Sequence, residues 1–119
     1  MATVLLVGGD LSAKARLEAA AAVAKVELRL TGFGRMREAL TASRPAVLVL
    51  DLDDGRERVL EELSAARSEG LAPEVVFGYY SHVDEGLAEA ARRAGCEPIP
   101  RGRFWRSLPD LLTRRASEP

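Results

Sequence analysis

The sequence predicts a single α/β domain over residues 1–119, built around a parallel β-sheet. Five short apolar segments alternate with five longer segments in which apolar residues recur at helical spacing. Two of the short segments, residues 4–7 and 46–50, are apolar without interruption, which is typical of strands buried on both faces. Because β-α units repeat, we expect right-handed crossovers and helices on both faces of the sheet.

The first β-α unit begins at the amino terminus. Residues 3–7 are all β-branched or leucine, and Thr3 is the only polar residue among them. The run stops at Gly8-Gly9, which indicates a strand followed by a turn. Asp10 or Ser12 can cap a helix that extends to about residue 24, because their side-chain oxygens accept hydrogen bonds from free helix N–H groups.

The second and third units have different strand patterns. Residues 26–30 alternate between apolar and polar side chains, which predicts a strand at the edge of the sheet, and a short helix follows over about residues 35–42. The apolar run 46–50 ends at Asp51 and is the best candidate for the central strand. A helix over about residues 56–69 then carries apolar residues at helical spacing.

The last two units complete the sheet. Residues 74–79 predict a fourth strand and residues 83–94 a fourth helix, which Gly95 stops. Residues 98–100 leave room for a short fifth strand at an edge, because proline cannot donate to a ladder. Ser107 and Asp110 have the spacing of a capping box, so we expect the last helix to begin there and to end near residue 115.

Composition restricts the class of protein. The chain is 47% hydrophobic and 29% charged, which fits a globular domain and excludes a disordered tail. Its net charge of −1 provides no general attraction to nucleic acid or to an anionic membrane. The apolar start is too short for a signal peptide or a membrane span, and the single Cys96 fits a reducing compartment. We therefore expect a cytoplasmic protein whose partners include neither a membrane nor nucleic acid.

Residues that could bind a ligand or take part in a reaction follow four of the five strands, at the edge where open parallel sheets bind ligands. An aspartate that leaves a buried strand, near a hydroxyl and a cation, could accept a phosphoryl group. No Ser-His-Asp arrangement or pair of general acids accompanies it, so we do not expect an enzyme. The residues are Gly8, Gly9 and Asp10 after the first strand, Asp51, Asp53 and Asp54 after the third, Ser81 after the fourth, and Arg101 after the fifth.

Three segments carry a resemblance to a known family. They are VLLV (4–7), VLVLDLDDG (47–55), and AARRAGC (90–96) with Arg101 and Phe104 after it. With these segments the chain resembles the response-regulator receiver domains of two-component signal transduction. The resemblance implies a flavodoxin-like fold with five parallel strands in the order 2-1-3-4-5, and a histidine kinase as a partner.

The resemblance also implies roles for single residues. Asp51 matches the phosphoacceptor, and Arg101 stands where the family has a conserved lysine. Ser81 matches the family's Ser/Thr position, with Gly78 as an alternative alignment.

The chain departs from the family at the site itself. Receivers hold Mg²⁺ with two acids directly after the first strand, where this chain has Gly8-Gly9, and Asp10 follows one position late. If Mg²⁺ binds at all, Asp10 and Asp51 are the candidate ligands, and we expect weak binding or none. Pro98 or Ile99 stands at the aromatic switch position, and an arginine replaces the lysine. The resemblance therefore predicts descent from receiver domains that are phosphoproteins, and the departures predict that this chain is an atypical pseudo-receiver.

Three functions follow from these residues. The first is a stand-alone pseudo-receiver that binds a signalling partner, or itself, through a face carrying Arg103, Phe104, Trp105 and Arg106. The second is a working receiver phosphorylated on Asp51. The third is a small nucleotide- or anion-binding protein that uses the segment 8–10, since glycines let backbone N–H groups approach an anion.

Overall fold

The computed structural model describes residues 1–81 and 84–116, with side chains described through residue 113. Five parallel strands form one sheet in the order β2-β1-β3-β4-β5, which confirms the predicted fold class and strand order. The strands at the two edges, the second and the fifth along the chain, are the two that the sequence placed there. The strands are β1 (Thr3–Val7), β2 (Glu27–Thr31), β3 (Val47–Asp51), β4 (Val75–Tyr80) and β5 (Glu97–Pro100).

Five α-helices connect and follow the strands. A 3₁₀ turn at Phe33–Arg35 precedes the second of them. None of the helices within the described residues is long and apolar enough to cross a membrane. The helices are α1 (Leu11–Ala24), α2 (Met36–Ser43), α3 (Leu52–Ser68), α4 (Glu85–Ala94) and α5 (Arg101–Ala116).

The sheet separates two hydrophobic cores. Alternate residues of β1, β3 and β4 point to opposite faces, so their apolar runs supply both cores. One core packs the sheet against α2, α3 and α4, and the other packs it against α1 and α5. The apolar residues of β1 and β3 from Val4 to Val7 and from Val47 to Leu50 are at most 1% exposed, as the unbroken runs predicted. Leu30 of β2 is 44% exposed, so the alternation there buries less than expected.

Two helix boundaries differ from the sequence prediction. α3 begins at Leu52, directly after the strand, because the Asp51 carboxylate caps it, and the chain bends at Arg56 (φ 44°, ψ −133°). The predicted capping box at Ser107 is wrong, because α5 already begins at Arg101 and Ser107 lies inside the helix. The early start brings Phe104 and Leu108 to the core.

The fourth helix begins near its predicted start. Asp84 caps α4 by accepting a hydrogen bond of 2.9 Å from the Leu87 N–H. The predicted first residue, 83, lies outside the described residues, as does the neighbouring residue 82.

Candidate functional site

The sequence-predicted site residues meet at the carboxyl edge of the sheet. β3 ends at Asp51, and register pairs this residue with Tyr79 of the neighbouring strand β4. The ends of β1 and β5 lie on either side of this pair in the sheet order. The edge therefore brings together side chains that are up to 91 positions apart in the chain, as in the contact between Arg101 and Asp10.

Asp51 is the only buried charged residue among the described residues, with 5% of its surface exposed. Its Oδ1 accepts hydrogen bonds from the backbone N–H groups of Asp53 (3.0 Å) and Asp54 (3.3 Å). Burial raises the pKa of Asp51, although these two hydrogen bonds and the nearby Arg101 charge oppose the shift. Asp51 thus acts as the amino-terminal cap of α3.

Asp53 lies at the centre of the site and accepts hydrogen bonds from Ser81, which follows β4, and from Arg101, which follows β5. Its Oδ1 accepts from the Ser81 N–H (2.8 Å), and its Oδ2 accepts from the Ser81 hydroxyl (2.6 Å). The same Oδ2 accepts from Nη1 of Arg101 (3.1 Å). Asp53, Ser81 and Arg101, predicted separately as binding residues, therefore form one hydrogen-bonded cluster.

Arg101 extends this cluster to the first strand's loop. Its Nη2 lies 3.3 Å from Oδ2 of Asp10, so the guanidinium bridges Asp10 and Asp53. The guanidinium carbon also stands 5.2 Å from the ring centroid of Tyr79 and 5.7 Å from that of Trp105. The charge is held by two carboxylates and two aromatic faces, which fixes the side chain in place.

Tyr79 is a residue of this site that the sequence analysis did not single out. It is fully buried, and burial followed by the Asp51 carboxylate raises the pKa of its phenol. Its hydroxyl is also close to Gly9, because a Cβ built there would stand 3.3 Å from it. Tyr79 is therefore the hydroxyl residue that register places opposite Asp51, whereas the Ser81 hydroxyl binds Asp53.

The residues present do not fit the Mg²⁺ site of receiver domains. Asp10 uses Oδ1 to accept from the Ala13 N–H (2.8 Å), and this bond is the main cause that lowers its pKa. Within residues 1–81 and 84–116, no three potential ligands among His, Cys, Asp and Glu come together around one point. The carboxylates of Asp10 and Asp53 are instead held by Arg101, which places a cation where a receiver domain would place the metal ion's ligands.

The Phe33 ring packs against Gly8, the first of the two loop positions where receivers carry an acid. Gly8 has φ +83°, and a Cβ there would collide with the Phe33 ring. A Cβ at Gly55 would also meet this ring, at 2.5 Å. The Phe33 ring thus occupies the space beside the first loop, so a side chain at Gly8 requires both a strained backbone and movement of the ring.

The first loop also borders a cavity of about 440 Å³, lined in part by Gly8, Gly9, Lys14 and Asp54. This cavity is relevant to the predicted nucleotide or anion site. An anion at this site would use the free N–H groups in the first turn of α1. One of these N–H groups already donates its hydrogen bond to the Asp10 carboxylate, which competes with such an anion.

The face expected to bind partners is only partly exposed. Arg103 and Arg106 are exposed, and Trp105 is half-buried against Tyr79 with ring centroids 5.0 Å apart. Phe104 is 0% exposed, so its assignment to this face is wrong. The reason is the early start of α5, which turns Phe104 towards the sheet.

Comparisons with known proteins give the fold a context. No protein-family model matches the sequence, and no curated protein matches it. Solved structures do match. The chemotaxis protein CheY4 of Vibrio cholerae superposes with a TM-score of 0.79 at 15% identity, over 97% of this chain and 98% of the other. The signal receiver domain of a Bermanella marisrubri response regulator gives 0.77 at 19% identity, over 95% and 96%.

A third similar structure contains a complex. It is the Saccharomyces cerevisiae phosphotransfer protein Ypd1 with the receiver domain of the response regulator Ssk1, at a TM-score of 0.75 and 14% identity, covering 97% of this chain and 88% of the other. The structural neighbours are thus receiver domains of response regulators. The chain has the flavodoxin-like fold of response-regulator receiver domains.

Proposed function

We propose that this protein is a cytoplasmic pseudo-receiver that works by binding a signalling protein and not by accepting a phosphoryl group on Asp51. The observation that carries the proposal is the bridge from Arg101 to both Asp53 and Asp10. The groups that would hold a phosphoryl group in a receiver domain are bonded to one another in this chain.

The charges of the site support this proposal. One guanidinium, Arg101, faces the three carboxylates of Asp10, Asp51 and Asp53. A phosphoryl group brings about −1.5 to −2 further charges at neutral pH, which would need a cation to offset them. Because Arg101 already neutralises two acids and the first loop lacks its metal ligands, the incoming charge would find no free cation in this cluster.

Partner binding is supported by the exposed side of α5. Arg103 and Arg106 lie beside the half-buried Trp105, and arginine and tryptophan are enriched where interfaces are strongest. We propose that a signalling protein with an acidic surface binds there. The Ypd1 complex shows that the receiver domain of Ssk1 binds another protein, and it lends this role by analogy only.

Phosphorylation on Asp51 is the second candidate function. It is favoured by the position of Asp51 at the end of the central strand, with the Arg101 charge near enough to oppose the rise that burial causes in the pKa of Asp51. This candidate requires the bridge of Arg101 to Asp53 to open, because that contact occupies the cation that a phosphoryl group would need.

The two candidates differ in their response to a phosphoryl analogue. We would record ¹H–¹⁵N NMR spectra of the full chain with excess Mg²⁺, before and after addition of beryllofluoride. The pseudo-receiver predicts that the amide signals of Asp53 and Asp54 stay in place, because no complex forms on Asp51. The matched control is Asp51→Asn, which retains the cap but cannot bind the analogue. Shifts that occur in the wild type and are absent from this variant would establish the working receiver.

A further inference from the structure

The outward face of α1 is uncharged and, apart from Ser12, apolar, although it is exposed. Helical geometry places six of its residues within about 120° of circumference, on the side opposite the buried Leu17. All six are exposed, and Leu11 and Val23 retain 85% and 69% of their surface. The six residues of this α1 face are Leu11, Ser12, Ala15, Ala19, Ala22 and Val23.

Such a face is unusual for a surface helix. A helix that covers one side of a sheet normally carries polar and charged residues on its other side. α4 follows this rule, because its exposed residues include Glu85, Glu89 and Arg92. An apolar helix face of the kind seen on α1 is typical of a surface that another molecule covers.

A groove between α1 and α5 continues the α1 face. Its volume is about 240 Å³, and Ala19, Val23, Trp105 and Pro109 are among the residues that line it. Arg16 covers one end, with its guanidinium carbon 5.6 Å from the Trp105 ring centroid. The apolar surface therefore extends from the α1 face onto α5.

We propose that the α1 face binds a second copy of this chain, with the two α1 helices antiparallel. Antiparallel packing about a two-fold axis can place Leu11 of one copy against Val23 of the other, and Ala15 against Ala19. Small residues in the middle let the helix axes approach to about 8 Å, and the larger residues close both ends. The face is thus complementary to itself.

The charges beside the α1 face favour the same partner. Glu18 and Lys14 lie along one margin of the face, and neither forms a salt bridge within the described part of the chain. A two-fold axis between antiparallel helices brings like margins together, so Glu18 of each copy lies within about 3 Å, measured along the helix axis, of the level of Lys14 of the other. The dimer would gain two reciprocal ion pairs. Because one helix pair and a groove form a small interface, we expect a dissociation constant in the micromolar range.

Sedimentation velocity of the full chain, from micromolar to millimolar concentration, tests this proposal. The wild type is expected to shift from monomer to dimer. Ala19→Glu puts a charge in the middle of the α1 face and is expected to weaken the dimer roughly a hundredfold. The matched control is Ala42→Glu, an exposed alanine of α2, which should dimerise like the wild type.

A charge exchange makes the test specific to two identical copies. Glu18→Lys should weaken the dimer, and adding Lys14→Glu to the same chain should restore it, while circular dichroism confirms that each variant is folded. A wild type that stays monomeric throughout would overturn the proposal and leave the α1 face to a different protein. Unchanged dimerisation of Ala19→Glu would overturn it as well. These outcomes do not depend on whether Asp51 binds a phosphoryl analogue.

Discussion

Replacement of Arg101 by methionine tests whether the bridge at the sheet edge holds the site together. Its hydrogen bond to Asp53 joins side chains that are 26% and 28% exposed. A hydrogen bond to a charged group contributes about 1.5–3 kcal/mol, which partial exposure reduces to about 1–2 kcal/mol. Stacking on Tyr79 and Trp105 adds about 0.5–1 kcal/mol for each ring, part of which methionine keeps.

Arg101→Met should therefore lower the free energy of unfolding by about 2 kcal/mol and Tm by roughly 6–10 °C. Urea denaturation followed by circular dichroism measures the first quantity, and a thermal scan measures the second. A double-mutant cycle with Asp53→Asn should assign a coupling energy of about 1 kcal/mol to the pair of Arg101 and Asp53. The coupling is this small because Asp53 still accepts hydrogen bonds from Ser81 when Arg101 is replaced, so its carboxylate is not left unpaired. A loss below about 0.5 kcal/mol for Arg101→Met would refute the view that the bridge is a fixed part of the fold.

Three further predictions concern the core, the first loop and the buried acid. Phe104→Ala should cost about 3–5 kcal/mol in urea denaturation while Arg103→Ala stays within about 0.5 kcal/mol, and equal effects would contradict the position of α5. Gly8→Ala should destabilise by at least about 1–2 kcal/mol, and by less when Phe33→Ala removes the ring; equal losses in both backgrounds would argue against the collision. Because burial raises the pKa of Asp51 above 3.8, its folded form holds the proton more tightly, so stability falls as pH rises through the interval above 3.8. Asp51→Asn, which keeps the cap, should be more stable than the wild type at neutral pH and lose this advantage below pH 3.8 in denaturation curves; a constant difference would disagree.

The strands could be predicted because their signals are local, whereas their order followed from the resemblance to receiver domains. Unbroken apolar runs can satisfy their backbone and side chains only inside a covered sheet, and the structure buries the runs at β1 and β3 as expected. The start of α5 could not be read in the same way. Gly102 weakens the local helix signal, and only packing of Phe104 against β4 residues such as Tyr79, 5.4 Å away between ring centroids, decides the boundary.

The membership of the site was predicted, but its internal contacts were not. Position at the ends of strands was enough to select Asp10, Asp53, Ser81 and Arg101. Which atoms meet depends on register and side-chain reach, so the bond from Ser81 to Asp53, 28 residues apart, had no signal in the sequence. The pairing of Tyr79 with Asp51 is also a matter of register, which the sequence does not specify residue by residue.

The outward face of α1 illustrates the same limit. Its alanines and Val23 are visible in the sequence, but the same residues could equally lie on a face that another element covers. Only the packing of α1 and α5 on the same side of the sheet identifies which residues remain exposed.

Intact-mass spectrometry after incubation with acetyl phosphate and Mg²⁺ tests the central claim most directly. The bridge from Arg101 to Asp53 and Asp10 predicts that the wild-type mass stays unchanged, because the cluster provides no free cation for a phosphoryl group on Asp51. Addition of one phosphoryl group to the wild type, with none on Asp51→Asn, would contradict the pseudo-receiver and establish Asp51 as a working phosphoacceptor.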